Sequence, residues 1–135
     1  MNEDTYKQIK FVEKERAELQ EFDMSELSPK SGEVAGPTLV SLISTGTELA
    51  VYQAQHAKTT YPCGSGYASV FRAEEIGPDV EGISEGDILF SAAGHRSYQC
   101  RDANYTVKVP QGLEPEKAVF ARMMGISMST LVTTT

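Results

Sequence analysis

The histidines and cysteines able to hold a metal or carry a proton are few and scattered in this chain. His56, Cys63, His95, Cys100 and Glu48 are the ligand types from which a metal site could be assembled. No tight pair such as C-x-x-C or H-x-x-x-H brings two of them together, and a catalytic zinc normally takes three protein ligands. The other reading of the same residues is solvent-edge histidines and buried thiols. Two cysteines are too few for a disulfide framework. They read as reduced thiols, with a single bridge or two zinc ligands as the alternatives. Gly64-Ser65-Gly66-Tyr67-Ala68-Ser69 begins like a dinucleotide-binding turn, but it lacks the third glycine and no apolar strand precedes it. It reads as a loop. The acidic groups Glu74-Glu75 and Asp79, Glu81, Glu85 have no EF-hand spacing and read as a solvated rim.

The elements that must position these residues are short strands between turns, followed by a helical tail. The stretch from Gly77 to Phe90 is the most informative. Gly77, Gly82 and Gly86, with Pro78 and Asp79 after the first, predict sharp reversals leading at once into a strand from Ile88 to Ser91. Ile9–Val12 and Arg16–Phe22 read as two strands around a Glu13-Lys14-Glu15 turn, with Ala17 and Leu19 on one face. Ser28 to Gly32 and Gly36-Pro37 read as loops. Leu39–Ile43, apolar on both faces, predicts an interior strand. From these residues alone, Ser44-Thr45-Gly46-Thr47 is a strand-to-helix turn in which Thr47 caps a short helix over Glu48–Tyr52. Tyr67–Ile76 and Arg96–Cys100 predict further strands. Tyr105, Val107 and Val109 alternate with Thr106 and Lys108 as a half-buried strand. Pro115 opens a helix to about Met124, Gly125 interrupts it, and Ile126–Thr133 resumes. Met123, Met124 and Met128 read as packing at a domain junction. Many short strands with Gly and Pro turns predict a small barrel or sandwich.

Composition bounds the rest. A chain of 135 residues suits one domain. Its 40% hydrophobic and 23% charged residues are ordinary for a soluble protein. A net charge of −7 opposes nucleic-acid binding, which draws on clustered Lys and Arg. No apolar run of the length of a membrane span occurs. The acidic start Met1-Asn2-Glu3-Asp4 is unlike a secretory signal, so a cytoplasmic location is expected. Leu131 to Thr135 has no capping glycine or closing charge, and the chain reads as a fragment ending within an element.

Four segments in one order carry a resemblance. Gly77–Phe90 resembles the G-x-x-V-x-x-x-x-x-G-D-x-V signature of the medium-chain dehydrogenase/reductase (alcohol dehydrogenase-like) superfamily. Ser44-Thr45-Gly46-Thr47-Glu48-Leu49 is similar to that family's G-I-C-G-T-D segment, Gly66-Tyr67-Ala68 lies where it has G-H-E, and Val109–Ala118 resembles its V-P-x-G-L run into a helix. The resemblance spans about Ile9 to Leu131. It implies a mainly β fold with short helices: a GroES-like, partly open β-barrel over residues 1–135, with a helical junction over about 114–135 leading into a missing Rossmann domain. It also implies a departure. The family's zinc-binding cysteine is replaced by Ser44 or Thr45, its histidine by Tyr67, and the four-cysteine structural lobe is missing, so neither zinc is expected.

The function implied is the substrate-side domain of a zinc-independent NAD(P)-dependent oxidoreductase, with hydride passing to or from a carbonyl, alcohol or activated alkene. The fragment alone is expected to be inactive, its NAD(P) being held largely by the missing domain. With no zinc to polarise a carbonyl, hydroxyl donors Tyr67, Thr47 and Ser44 are the candidates to bond a developing oxyanion. Tyr67 as a general acid would need a cationic neighbour; as the alternative, it only fills the volume of the lost histidine. Thr45, Gly46 and Thr47 are the candidates to line the cleft against the nicotinamide end of the cofactor. The partners implied are a small-molecule substrate and a second copy, through dimerisation of the missing domain; neither nucleic acid nor membrane is expected. A non-catalytic GroES-like protein-interaction module is the alternative function, and a metal-binding domain with unusual ligands a third.

Overall fold

The computed structural model describes residues 5–23, 25 and 27–132, the side chain of Thr130 aside. β1 (Tyr6–Glu13) and β2 (Arg16–Phe22) form an antiparallel hairpin, and β4 (Cys63–Gly64) adds to the other edge of β1. The larger sheet runs β6 (Glu75–Ile76), β3 (Glu33–Ser41), β5 (Ser69–Arg72), β7 (Ile88–Ser91) and β9 (Thr106–Lys108). Its remaining strand, β8 (Tyr98–Asp102), also pairs with β3. The two sheets curl towards one another without closing. This is a mainly β, partly open barrel with three short α-helices among the described residues.

The glycine turn behaves as its spacing predicts. Gly82 and Gly86 sit at φ +74° and +89°, where a Cβ would be strained. They deliver Ile88–Ser91 into register with both β5 and β9. Gly36-Pro37 is different: it lies inside β3 rather than in a loop. A Cβ on Gly36 would stand 1.7 Å from the Arg72 carbonyl oxygen, so only glycine lets β3 and the β5–β6 bend approach this closely. The interior of β3 is therefore Val34-Ala35-Gly36, not Leu39–Ile43. A register shift between Thr38 and Val40 swings Leu39 outwards, leaving it 40% exposed, and Ile43 beyond the strand is 68% exposed.

Three other expectations change. The Tyr67–Ile76 strand divides at Ala73-Glu74 into β5 and β6, because Ala73 N–H turns to Asp87 O and Glu74 N–H to Ala35 O. The Tyr105–Val109 alternation is present, but of its apolar face only Val109 is covered, by Ala118 and Val119. Tyr105 ends a 3-10 turn (Ala103–Tyr105), and both it and Val107 on β9 stay exposed. The C-terminal helix breaks at Val119-Phe120, not at Gly125, giving α2 (Pro115–Ala118) and α3 (Ala121–Val132). Ala118 and Val119 are drawn into the core and fix the break there, while Gly125 continues within α3. Of the resumed helix, Thr133 lies outside the described residues.

The core has three parts. Val34, Phe71, Ala73 and Leu89 fill the barrel. Ala68 and Val70, on the opposite face, receive Ala118 and Val119 and so seat α2 against the sheet. Leu27, Ala35 and Tyr98 close the third side. No described helix is long and apolar enough to cross a membrane.

Candidate functional site

The segment between β3 and α1 (Thr47–Tyr52) crosses the open side of the barrel and carries most of the candidate residues. Gly46, not Thr47, is the N-cap of α1, and no side chain caps it. The carboxylate of Glu48 reaches back instead and accepts the Ser44 N–H at 2.7 Å, an arrangement that ties the turn to the helix it opens.

The other Glu48 oxygen meets His95 Nε2 at 2.8 Å. His95 Nδ1 lies 2.8 Å from the Ser41 hydroxyl. Glu48 and His95 are only 7% and 8% exposed. This corrects the reading of His95 as a solvent-edge histidine; His56 is exposed, and Cys63 and Cys100 are half-buried free thiols. The backbone holds His95 from both sides, its N–H donating to Ser65 O and its C=O accepting from Ile9 N–H, each at 2.9 Å. Gly66, at φ +81°, leaves room for the ring: a Cβ there would lie 2.8 Å from it. The pair thus joins β3, α1 and the β7–β8 connection at one buried point.

Tyr67 lies next to the same turn. Its phenol donates a short hydrogen bond to Ser44 Oγ. The Arg122 guanidinium, from the first turn of α3, sits over the Tyr67 ring with its carbon 5.5 Å from the centroid. Arg122 has no carboxylate partner among the described residues. Ser44 and Thr45 also line a cavity that His95 and Glu48 help to floor. Gly46 and Thr47 lie exposed on the outer side of the turn. The fold therefore brings Ser44 and Tyr67 into contact, sets Thr45 on the cavity rim, and leaves Gly46 and Thr47 facing solvent.

The side chains at the two positions where the resemblance has zinc ligands are weak donors to a metal. At the ligand positions stand a serine or threonine hydroxyl and a phenol, both neutral, and the phenol is spent on the serine. Among the described residues no three His, Cys, Asp or Glu side chains come together to hold an ion. Sequence reasoning missed the Glu48–His95 pair and Arg122. Glu48 and His95 are 47 residues apart, and no spacing or periodicity couples them. Arg122 carries no motif at all.

No family model matches the sequence, and no curated protein matches it. Solved structures do match. An Escherichia coli oxidoreductase/dehydrogenase of unknown specificity involved in membrane biogenesis superposes with a TM-score of 0.74 at 12% identity, over 86% of this chain and 43% of that one. The E. coli quinone oxidoreductase complexed with NADPH gives 0.66 at 17% identity, over 82% and 35%. An alcohol dehydrogenase superfamily protein from Novosphingobium aromaticivorans gives 0.69 at 19%, over 82% and 36%. The chain spans between 35% and 43% of the length of these three structures. The chain has the GroES-like fold of the amino-terminal part of alcohol dehydrogenase-like oxidoreductases.

Proposed function

We propose that the chain forms the substrate-side lobe of an NAD(P)-dependent oxidoreductase that works without zinc. The observation that carries this reading is the Tyr67–Ser44 hydrogen bond beneath Arg122. A serine hydroxyl that accepts a hydrogen bond from one partner keeps its own O–H to donate to another. Ser44 accepts from Tyr67 and borders the cavity, so its O–H is free to meet a carbonyl oxygen there. NAD(P)H, when bound, supplies the hydride.

As negative charge develops on the carbonyl oxygen, the Ser44 O–H strengthens its bond to it and transfers the proton. Tyr67 replaces that proton on Ser44. The charge left on the phenol faces the Arg122 guanidinium, whose attraction for the ring is greatest when the ring is anionic. Hydride and proton together reduce the carbonyl to an alcohol, and the reverse sequence oxidises it. Thr45, Gly46 and Thr47 form the exposed edge on which the nicotinamide end of the cofactor would lie. Dimerisation is assigned to the nucleotide-binding lobe.

The test uses the 135-residue chain and the same chain with its natural downstream sequence. The isolated chain gives negligible heat on titration with NADPH; submicromolar binding would contradict the assignment of the cofactor to a second lobe. The longer protein oxidises NADPH with a carbonyl substrate in the presence of a zinc chelator. Tyr67→Phe in that protein lowers kcat by about 10²–10³ with little change in KM, the size of a lost oxyanion donor. Activity that vanishes with chelator and returns with zinc would end the proposal, as would an unchanged kcat in Tyr67→Phe.

A further inference from the structure

The cavity beside Ser44 and Thr45 measures about 260 Å³. Its walls are Ile9, Phe11, Ile43, Leu49 and Tyr52. Ile9, Ile43 and Leu49 are among the exposed large apolar residues of the molecule, and here they ring a concave surface instead of standing singly. The polar groups that reach this cavity are mostly already taken. Ser65 Oγ donates to Ile9 O at 2.8 Å and the Tyr52 phenol to Glu15 O at 2.5 Å. The Glu48 oxygens are held by Ser44 N–H and His95, and the second His95 nitrogen by Ser41. What remains for a ligand is the Ser44 and Thr45 edge.

We propose that this cavity takes the uncharged, apolar body of the substrate, aryl or branched, and brings its carbonyl oxygen to the Ser44–Thr45 edge. The proposal rests on the oxidoreductase reading and names the substrate class for that site. A polar substituent deeper in the cavity would lose water and find no free partner, a cost that selects against it. A carboxylate would in addition approach Glu48. Size narrows the class further. A dry apolar cavity of about 150 Å³ binds benzene, so 260 Å³ suits a body of roughly ten carbons, a two-ring aryl group or a branched chain of similar bulk.

The test is an amide NMR titration of the 135-residue chain with 2-acetylnaphthalene, a neutral aryl ketone, and with 2-naphthoate, its anionic counterpart. The ketone produces saturable shifts at Ile9, Phe11, Ile43 to Leu49 and His95. Naphthoate binds at least about tenfold more weakly. Leu49→Gln and Ile43→Asn change exposed side chains, so each keeps the parent melting temperature and weakens ketone binding about five- to tenfold. Equal binding of the two probes, no saturation, or shifts centred on Val107, Leu113 and Phe120 instead would overturn the site. Ketone binding at this cavity without any NADPH-dependent reduction by the longer protein would leave the apolar site standing and sink the oxidoreductase reading.

Discussion

Removing the imidazole of His95 is the perturbation from which most can be learned. In His95→Leu the Glu48 carboxylate keeps one donor, the Ser44 N–H at 2.7 Å, and loses the Nε2 contact at 2.8 Å. Both side chains are under 10% exposed, so water cannot replace the imidazole without opening the turn. Breaking one side of a buried pair costs about 3–5 kcal/mol, because an uncompensated charge is left behind. For a domain of this size that corresponds to a fall of roughly 10–20 °C in Tm. Replacing both partners, Glu48→Leu with His95→Leu, removes the orphaned charge and is expected to recover at least about 2 kcal/mol. Thermal and urea unfolding followed by circular dichroism give all four corners of the cycle. The reasoning is refuted if His95→Leu costs less than about 1 kcal/mol, or if the two single changes add within about 0.5 kcal/mol.

Two further predictions concern the fold. Gly36→Ala should cost about 4 kcal/mol or more, since its Cβ would stand 1.7 Å from a backbone oxygen; a melting temperature within 3 °C of the parent, on the order of the uncertainty of such a comparison, would show that the β3–β5 approach is looser than described. Cys100 should alkylate slowly in the folded chain. Burial, then the neighbouring Glu33 carboxylate, push its thiol from 9.0 up to about 11, which lowers the thiolate fraction at pH 8 about 100-fold. In a Cys63→Ser background, iodoacetamide should therefore label Cys100 about 100 times faster in denaturant than in buffer. The sign for stability follows. The folded thiol is raised, so its contribution is fully present below the ordinary thiol range and is lost as pH rises towards about 11. Equal labelling rates in the two states would contradict this.

Much of the architecture was legible in the sequence because it is written in local terms. Glycines at 77, 82 and 86 specify reversals through backbone freedom, and two of them do take positive φ. Pro115 opens a helix where its missing N–H costs nothing, and α2 starts there. Period-two patterning placed the β1–β2 hairpin, whose register pairs Ile9 with Leu19. Patterning could not say which face of a strand the rest of the chain would cover. Val107 alternates correctly and yet is 63% exposed, because α2, seated by Ala118 and Val119, covers Phe90 and Val109 on that face and leaves Val107 at the rim of the groove beside it. Gly36-Pro37 has loop composition and sits in a strand, because a neighbouring carbonyl passes where a side chain would be.

The candidate site divides along the same line. The amino-acid sequence by itself determined which hydroxyls stand on the turn before α1, and that neither a cysteine nor a histidine occupies the two positions where the resemblance calls for zinc ligands. Only the tertiary structure decided that Tyr67 meets Ser44 across 23 residues and that His95 meets Glu48 across 47. Such contacts depend on strand order and on the curl of one sheet towards the other, which fix separations through space that no spacing along the chain encodes.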